Sequence, residues 1–217
     1  MPKPATIAID GPGAVGKSAI GTLLAQKLGY RFIDTGAMYR ALTWLALEFG
    51  LDLEDEAGLE GLALKANIEL TPQEALIDGH DVSLNLRDQE VEKGVSLVAK
   101  VAGVRRVLAA KQRELAQGGK VVMAGRDIGT VVLPQAELKI YLAASAEERA
   151  RRRYLELLAR GGADYEQVLA ELKRRDSLDL ERELAPLQSA PDAKIIDTNG
   201  LDIEQVLHKI LSLIEEC

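Results

Sequence analysis

The stretch ATIAIDGPGAVGKS, residues 5–18, limits what this chain can fold into more than any other. Its first residues make a short apolar strand, a glycine-rich turn follows, and a helix is expected to start at about Lys17. The spacing satisfies G-x-x-x-x-G-K-[ST] with Gly11, Gly16, Lys17 and Ser18. Glycines there let backbone N–H groups turn inward around phosphate oxygens, and the helix points its positive end at the same place. Lys17 can then reach the β- and γ-phosphates of a nucleoside triphosphate, and Ser18 can ligate the Mg²⁺ that accompanies it. The expected ATP contacts are Gly11, Pro12, Gly13, Ala14, Val15, Gly16, Lys17, Ser18 and Ala19.

Further apolar runs repeat the strand-then-helix rhythm. RFI precedes a helix from about Gly36, KVVMA stands alone, ELKIYL precedes a helix from Ala146, and AKIID precedes a helix to the C-terminus. Strands separated by helices cannot pair as hairpins. The expected fold class is therefore α/β, a doubly wound parallel sheet of about five strands, of the P-loop NTPase type, with helices on both faces. Between about residues 60 and 100 the rhythm breaks, and NIEL and ALIDGHDVSL, with the turn signal DGHD, predict short antiparallel strands in a small insert. The 217 residues suit one domain carrying that insert. Gly161 and Gly162 interrupt an arginine-rich region where a mobile lid, from about 151 to 165, would need a hinge.

Composition narrows the partners. A formal charge of −7 argues against a protein that coats nucleic acid or an anionic membrane. Eight arginines nevertheless fall between 149 and 182: Arg149, Arg151, Arg152, Arg153, Arg160, Arg174, Arg175 and Arg182. They are either solvated helix faces or a focused cationic site. One cysteine, Cys217, allows no internal disulfide, and no long apolar run is present, so a soluble cytoplasmic protein is expected.

The loop leaves open where the γ-phosphate goes: to water, to a small acceptor, or nowhere. No N-K-x-D motif of a GTP switch is present, and DTNG at 197–200 reads better as a strand-ending turn than as a switch element. FIDTGAMYRA, residues 32–41, favours an acceptor, because Asp34, Thr35, Tyr39 and Arg40 stand where a strand opens into the ligand crevice of an α/β sheet. A helix N-cap would account for Asp34 or Thr35 alone. Arg40 is suited to grip an acceptor phosphate bidentately. In RRDSLDLERELAPL, Arg175, Asp179 and Arg182 recur at i, i+4 and i+7, which predicts one helix face; an intrahelical Arg175–Asp179 pair is the plainer alternative.

Taken together, IDGPGAVGKS, FIDTGAMYRAL, GRDIGTVVLP and RRDSLDLERELAPL resemble the bacterial cytidylate kinase family, which phosphorylates CMP and dCMP. LRDQEVEKGVSLVAKVAGVRRVLAAKQREL, residues 86–115, resembles the part of that family that meets the cytosine. The resemblance implies that Arg40, Arg126 and Arg182 surround the acceptor phosphate, with Lys17, Arg126 and Arg182 as the catalytic cations. It implies that Asp179, with Asp34 or Thr35, holds the sugar, that Ser96, Arg105 and Asp127 face the base, and that Tyr39 and Arg175 also line the acceptor site. It further implies a monomer with Mg²⁺ and ATP. A kinase for UMP, AMP or a metabolite, or a nucleotide-binding regulatory protein without transfer activity, are the alternatives. His80, in the expected hairpin turn, and His208 read as surface residues.

One departure stands out. VVMAGRDIGT, residues 121–130, puts Ala124 where the family commonly has an aspartate, which bears on how Mg²⁺ is held. Asp10, at the end of the first strand, is the expected compensation.

Overall fold

In the computed structural model, which describes residues 3–71, 74–159 and 161–215, each apolar run named above forms a strand. β1 (Thr6–Asp10) leads through the glycine loop into α1 (Lys17–Leu28), and β2 (Arg31–Asp34) leads directly into α2 (Thr35–Glu48). Then come α3 (Glu56–Lys65), strands β3 (Ile68–Leu70), β4 (Ala75–Ile77) and β5 (His80–Asp81), a 3₁₀ turn (Asn85–Arg87), α4 (Gln89–Lys100) and α5 (Ala102–Ala116). The chain returns through β6 (Val121–Gly125), a π-helical turn (Ile128–Val132), β7 (Leu138–Ala143), α6 (Ala146–Leu158), α7 (Tyr165–Leu180), β8 (Lys194–Asp197) and α8 (Ile203–Glu215).

Helical crossovers force the main strands to run parallel, and they lie in the order β2-β6-β1-β7-β8. Because β1 is central and the connections depart from it in both directions, a crevice opens at the C-terminal edge of the sheet, above β1. Side-chain alternation splits the core into two faces. Ile7, Ile9, Val122 and Ala124 point toward α1 and α8, against Leu24, Leu207 and Ile210. Ala8, Ile33, Val121 and Met123 point the other way, toward Ala109, Ala116 and Ile128. Each fully buried Ile or Leu of these faces stabilises the fold by roughly 1.5–3 kcal/mol.

The insert forms the expected antiparallel sheet, β3-β4-β5. Its hairpin turns on Asp78 and Gly79, at φ 50° and 81°, as a two-residue turn with both φ positive requires. His80 is the first residue of β5, opposite Ile77, and not part of the turn itself. The expected start near residue 60 falls inside α3, whose N-cap is Asp55, its carboxylate accepting the N–H of Gly58 at 3.0 Å. Leu59, Ile77 and Val98 of the insert share one core with Met38 and Leu42 of α2 and Leu108 of α5. The region expected to form a lid is a helical hairpin, α6 and α7, capped by Ser145 and Asp164 and turning through Gly161 and Gly162. The span 151–165 covers only its middle. Arg160 and Cys217 lie outside the described residues. No helix among the described residues is long and apolar enough to cross a membrane.

Candidate active site

The glycine loop is shaped before any phosphate arrives. Gly11 has φ 149°, and a Cβ there would sit 2.4 Å from the Leu142 carbonyl oxygen, so only glycine fits. Lys17 folds back over the loop, its Nζ donating to the carbonyls of Gly11 at 2.8 Å and Pro12 at 2.7 Å. Burial, and then the neighbouring Arg126, hold the Lys17 ammonium well below its ordinary range, against the pull of Asp34, Asp10 and Asp179. An incoming phosphate favours the charged form. Arg149, buried on α6, makes a bidentate pair with Asp176 at 3.1 and 2.6 Å and donates to the Gly13 carbonyl at 3.2 Å. The α6–α7 hairpin is thus tied to the loop.

Of the other α6 arginines, Arg151 is exposed and pairs with Glu148. Arg152 and Arg153 face the cavity, Arg152 also donating to the Thr198 carbonyl at 2.6 Å. The two readings of the arginine cluster therefore divide between residues of one helix. The 197–200 segment is a strand-ending turn, with Asp197 accepting the N–H of Asn199 at 2.9 Å and Gly200 at φ 67°.

Across the cavity, β2 and α2 place Asp34, Thr35, Tyr39 and Arg40 together. Asp34 occupies the N-cap position without capping through its side chain. Its Oδ2 accepts from the Ser18 hydroxyl at 2.8 Å and from Arg40 at 3.4 Å. Burial alone would raise the Asp34 pKa, but Arg40, the Ser18 bond and Lys17 hold it below the usual carboxylate range. Thr35 is buried and donates to the Ala124 carbonyl at 2.8 Å. These two residues are thus engaged with the phosphate loop and β6.

Arg126 Nε donates to Asp179 at 2.7 Å, and Arg182 pairs with the other oxygen of Asp179. Burial pushes the Asp179 carboxyl up, but Arg126 and Arg182 outweigh it and keep it ionised. The expectation that Arg175, Asp179 and Arg182 share one helix face is corrected here, since α7 ends at Leu180 and Arg182 lies beyond it. Nor do Arg175 and Asp179 pair: Arg175 turns to Glu171 at 2.9 Å and to Glu92 at 3.0 Å. The Nε atoms of Arg40 and Arg182 are buried and without a hydrogen-bond partner among the described residues. Further in, Arg105 pairs with Asp127 at 2.5 Å, donates to the Ala99 carbonyl at 3.0 Å and lies 5.8 Å from the centre of the Tyr39 ring. Burial pushes the Tyr39 hydroxyl up to about 12, so it stays a neutral donor. Ser96 faces the same space from α4. The loop, the arginines and this inner end line one cavity of about 800 Å³.

Strand register decides the question raised by Ala124. Asp34 is its direct partner on β2, so both side chains project from one face, the face of α1 and Ser18. Asp10 follows Ile9 on β1 and projects from the opposite face, where its two oxygens accept the N–H groups of Ile128 and Gly129, each at 2.7 Å. Alternation thus points Asp10 away from Ser18, contrary to the expected compensation. Its work is to hold the π-helical turn that follows Asp127. Sequence reasoning did not single out Glu92 or Asp176, whose partners come from other elements.

The family model described as cytidylate kinase matches residues 7–216. The chain is 52% identical over 221 residues to a cytidylate kinase of Geobacillus kaustophilus, covering 100% of this chain and 99% of that one. It is 48% identical over 221 residues to a cytidylate kinase of Bacillus subtilis, with coverage of 100% and 99%. Among solved structures, a gluconokinase from Sinorhizobium meliloti aligns over 100% of this chain and 94% of its own, with a TM-score of 0.53 at 15% identity, a likeness of fold alone. A strand-borne phosphate loop, a cation-lined cavity and full-length similarity on this scale lead to one conclusion: the chain belongs to the cytidylate kinase family.

Proposed function

We propose that this chain transfers the γ-phosphoryl group of ATP to the α-phosphate of CMP or dCMP, giving ADP and CDP or dCDP. The observation that carries the reading is the row of cations between the phosphate loop and the Arg105–Asp127 pair. Arg126 is set by Asp179, and the Nε atoms of Arg40 and Arg182 are buried without partners among the described residues. A buried unpaired donor costs about 1–3 kcal/mol. A phosphate held there satisfies these donors and meets the triphosphate in line.

The acceptor phosphate is already ionised, so the step needs no general base. Its oxygen attacks the γ-phosphorus, the bond to the β-phosphate oxygen breaks, and ADP leaves. Positioning and charge neutralisation by Lys17, Arg126 and Arg182 then supply the catalysis. Ser96, Arg105 and Asp127 read the base. A carboxylate accepts from the cytosine amino group, whereas uracil presents an oxygen there, an acceptor against an acceptor. Asp179 holds the sugar. Tyr39 and Arg175 complete the acceptor side, and closure of α6 and α7 excludes water.

Among the described residues no group of three or more His, Cys, Asp or Glu side chains could hold a metal ion by itself. The donor set therefore suits Mg²⁺ that arrives with ATP, with Ser18 as its ligand and Asp34 behind it. Mg²⁺ there would neutralise phosphate charge. We also propose that the protein acts as a soluble monomer in the cytoplasm. The test is ADP formation with ATP and CMP, dCMP, UMP or AMP in turn. Preference for the cytosine nucleotides is expected; preference for AMP, or no acceptor-dependent turnover, would overturn the reading.

A further inference from the structure

Glu92 lies in the first turn of α4, inside the insert, and three guanidinium groups from separate parts of the chain close on its carboxylate. Arg87 stands at 3.5 Å, Arg153 of α6 at 3.6 Å and Arg175 of α7 at 3.0 Å. Arg175 also donates to the Glu92 main-chain carbonyl. The side chain is only 16% exposed. Burial favours the protonated acid, but Arg175, Arg153 and Arg40 outweigh it and keep Glu92 ionised.

Two features give this cluster a direction. First, each lid arginine has another carboxylate on its own helix: Arg153 pairs with Glu156 at 3.1 Å, and Arg175 with Glu171 at 2.9 Å. Glu92 is the competing anion that draws both toward the cavity. Second, Glu92 and Ser96 are four residues apart on α4, so one helix face reaches the lid with one residue and the inner end of the cavity with the other. Displacement of α4 by an acceptor at Ser96 moves the carboxylate that holds the lid arginines.

We infer that Glu92 is a positioning residue that couples the acceptor-binding insert to the lid, holding Arg153 and Arg175 over the path of the transferred phosphoryl group. The inference rests on the kinase reading above and adds a cavity-lining residue that acts through its arginine partners. The carboxylate occupies the arginines as a phosphate would, and yields part of that pairing when the nucleotides enter. Its partners then arrive already turned inward.

The experiment combines kinetics with a measurement that needs no turnover. Glu92→Gln keeps the shape and removes the charge. It is expected to lower kcat about tenfold while the KM for CMP changes less than about threefold, as for an interaction that matters mainly in the transition state. Glu92→Asp, which keeps the charge, should recover part of the loss. Because Glu92 acts through Arg175 and Arg153, the fold loss from E92Q should be smaller in an R175Q background than in the parent. Separately, spin labels at Leu84→Cys and Leu158→Cys, both exposed, in a Cys217→Ser background, report the insert-to-lid distance without nucleotide. E92Q should broaden that distribution. An unchanged distribution, or losses from E92Q and R175Q that multiply, would overturn the inference. A parent protein that does not phosphorylate CMP would instead defeat the kinase reading, and the distance measurement would still decide the role of Glu92 as a latch.

Discussion

Ala124→Asp tests the metal reading through the charge it adds. The new carboxylate would stand beside Asp34 on the same face of the sheet, and adjacent strands run about 4.8 Å apart. Two carboxylates about 5 Å apart, at an effective dielectric of about 20, repel by roughly 3 kcal/mol. Ala124 is 1% exposed, so the size of the new side chain matters as well, and Ala124→Asn serves as the matched control. Without nucleotide and with chelator, A124D should be about 3 kcal/mol less stable than A124N, a melting temperature lower by about 6–12 °C for a chain of this length. Mg²⁺ with ADP should close most of that gap, because a dication between the two acids turns repulsion into attraction. Half-saturating Mg²⁺ for turnover should fall in A124D and rise several-fold in Asp34→Asn. Asp10→Asn should leave it unchanged, since Asp10 projects from the other face. Equal melting behaviour of A124D and A124N with and without Mg²⁺, or a Mg²⁺ midpoint that follows Asp10 and ignores Asp34, would refute the reasoning.

Other residues give independent tests. Asp127→Asn breaks a buried pair with Arg105, a loss of about 3–5 kcal/mol in stability by analogy with other buried ion pairs; kcat/KM for CMP relative to UMP should fall at least tenfold. Arg149→Ala leaves Asp176 and the Gly13 carbonyl without their donor; the KM for ATP should rise, and calorimetric melting should shift down by several degrees. Asp10 has its pKa raised from 3.8 to about 6, chiefly by burial and against the two N–H bonds it accepts. The folded state therefore holds this proton more tightly than the unfolded state, so Asp10 costs about 3 kcal/mol at neutral pH, a cost that fades as pH falls from about 6 toward 4. Denaturant unfolding of Asp10→Asn should lack that pH-dependent component; an unchanged slope between pH 4 and 6 would contradict the assignment.

Much of the architecture was legible because local pattern and tertiary role agree. RFI and KIID are short runs ending in an acid or before one, they lie between helices, and no competing pairing is open to them. The phosphate loop was legible for the same reason: its spacing is local. What could not be read depends on distance in the chain. Glu92 meets Arg175 across 83 residues, so helical spacing suggested Asp179 as the partner instead. The i, i+4, i+7 pattern ran past the end of α7, and Arg182 reached Asp179 from the segment beyond the helix. Asp10 looked interchangeable with an acid at Ala124 because sequence shows that both end strands. Only the register shows that they point to opposite faces.

In the proposed function the cation row takes the phosphate of a cytosine nucleotide, and Arg105 and Asp127 select the base. Its most direct measurement is the initial rate of ADP formation with ATP and Mg²⁺ against CMP, dCMP, UMP and AMP at equal concentrations, for the parent protein and for Asp127→Asn. CMP or dCMP is expected to exceed UMP by at least tenfold in the parent, and this ratio is expected to collapse in the variant. Equal rates with UMP and CMP in the parent, or a preference that survives the loss of Asp127, would contradict it.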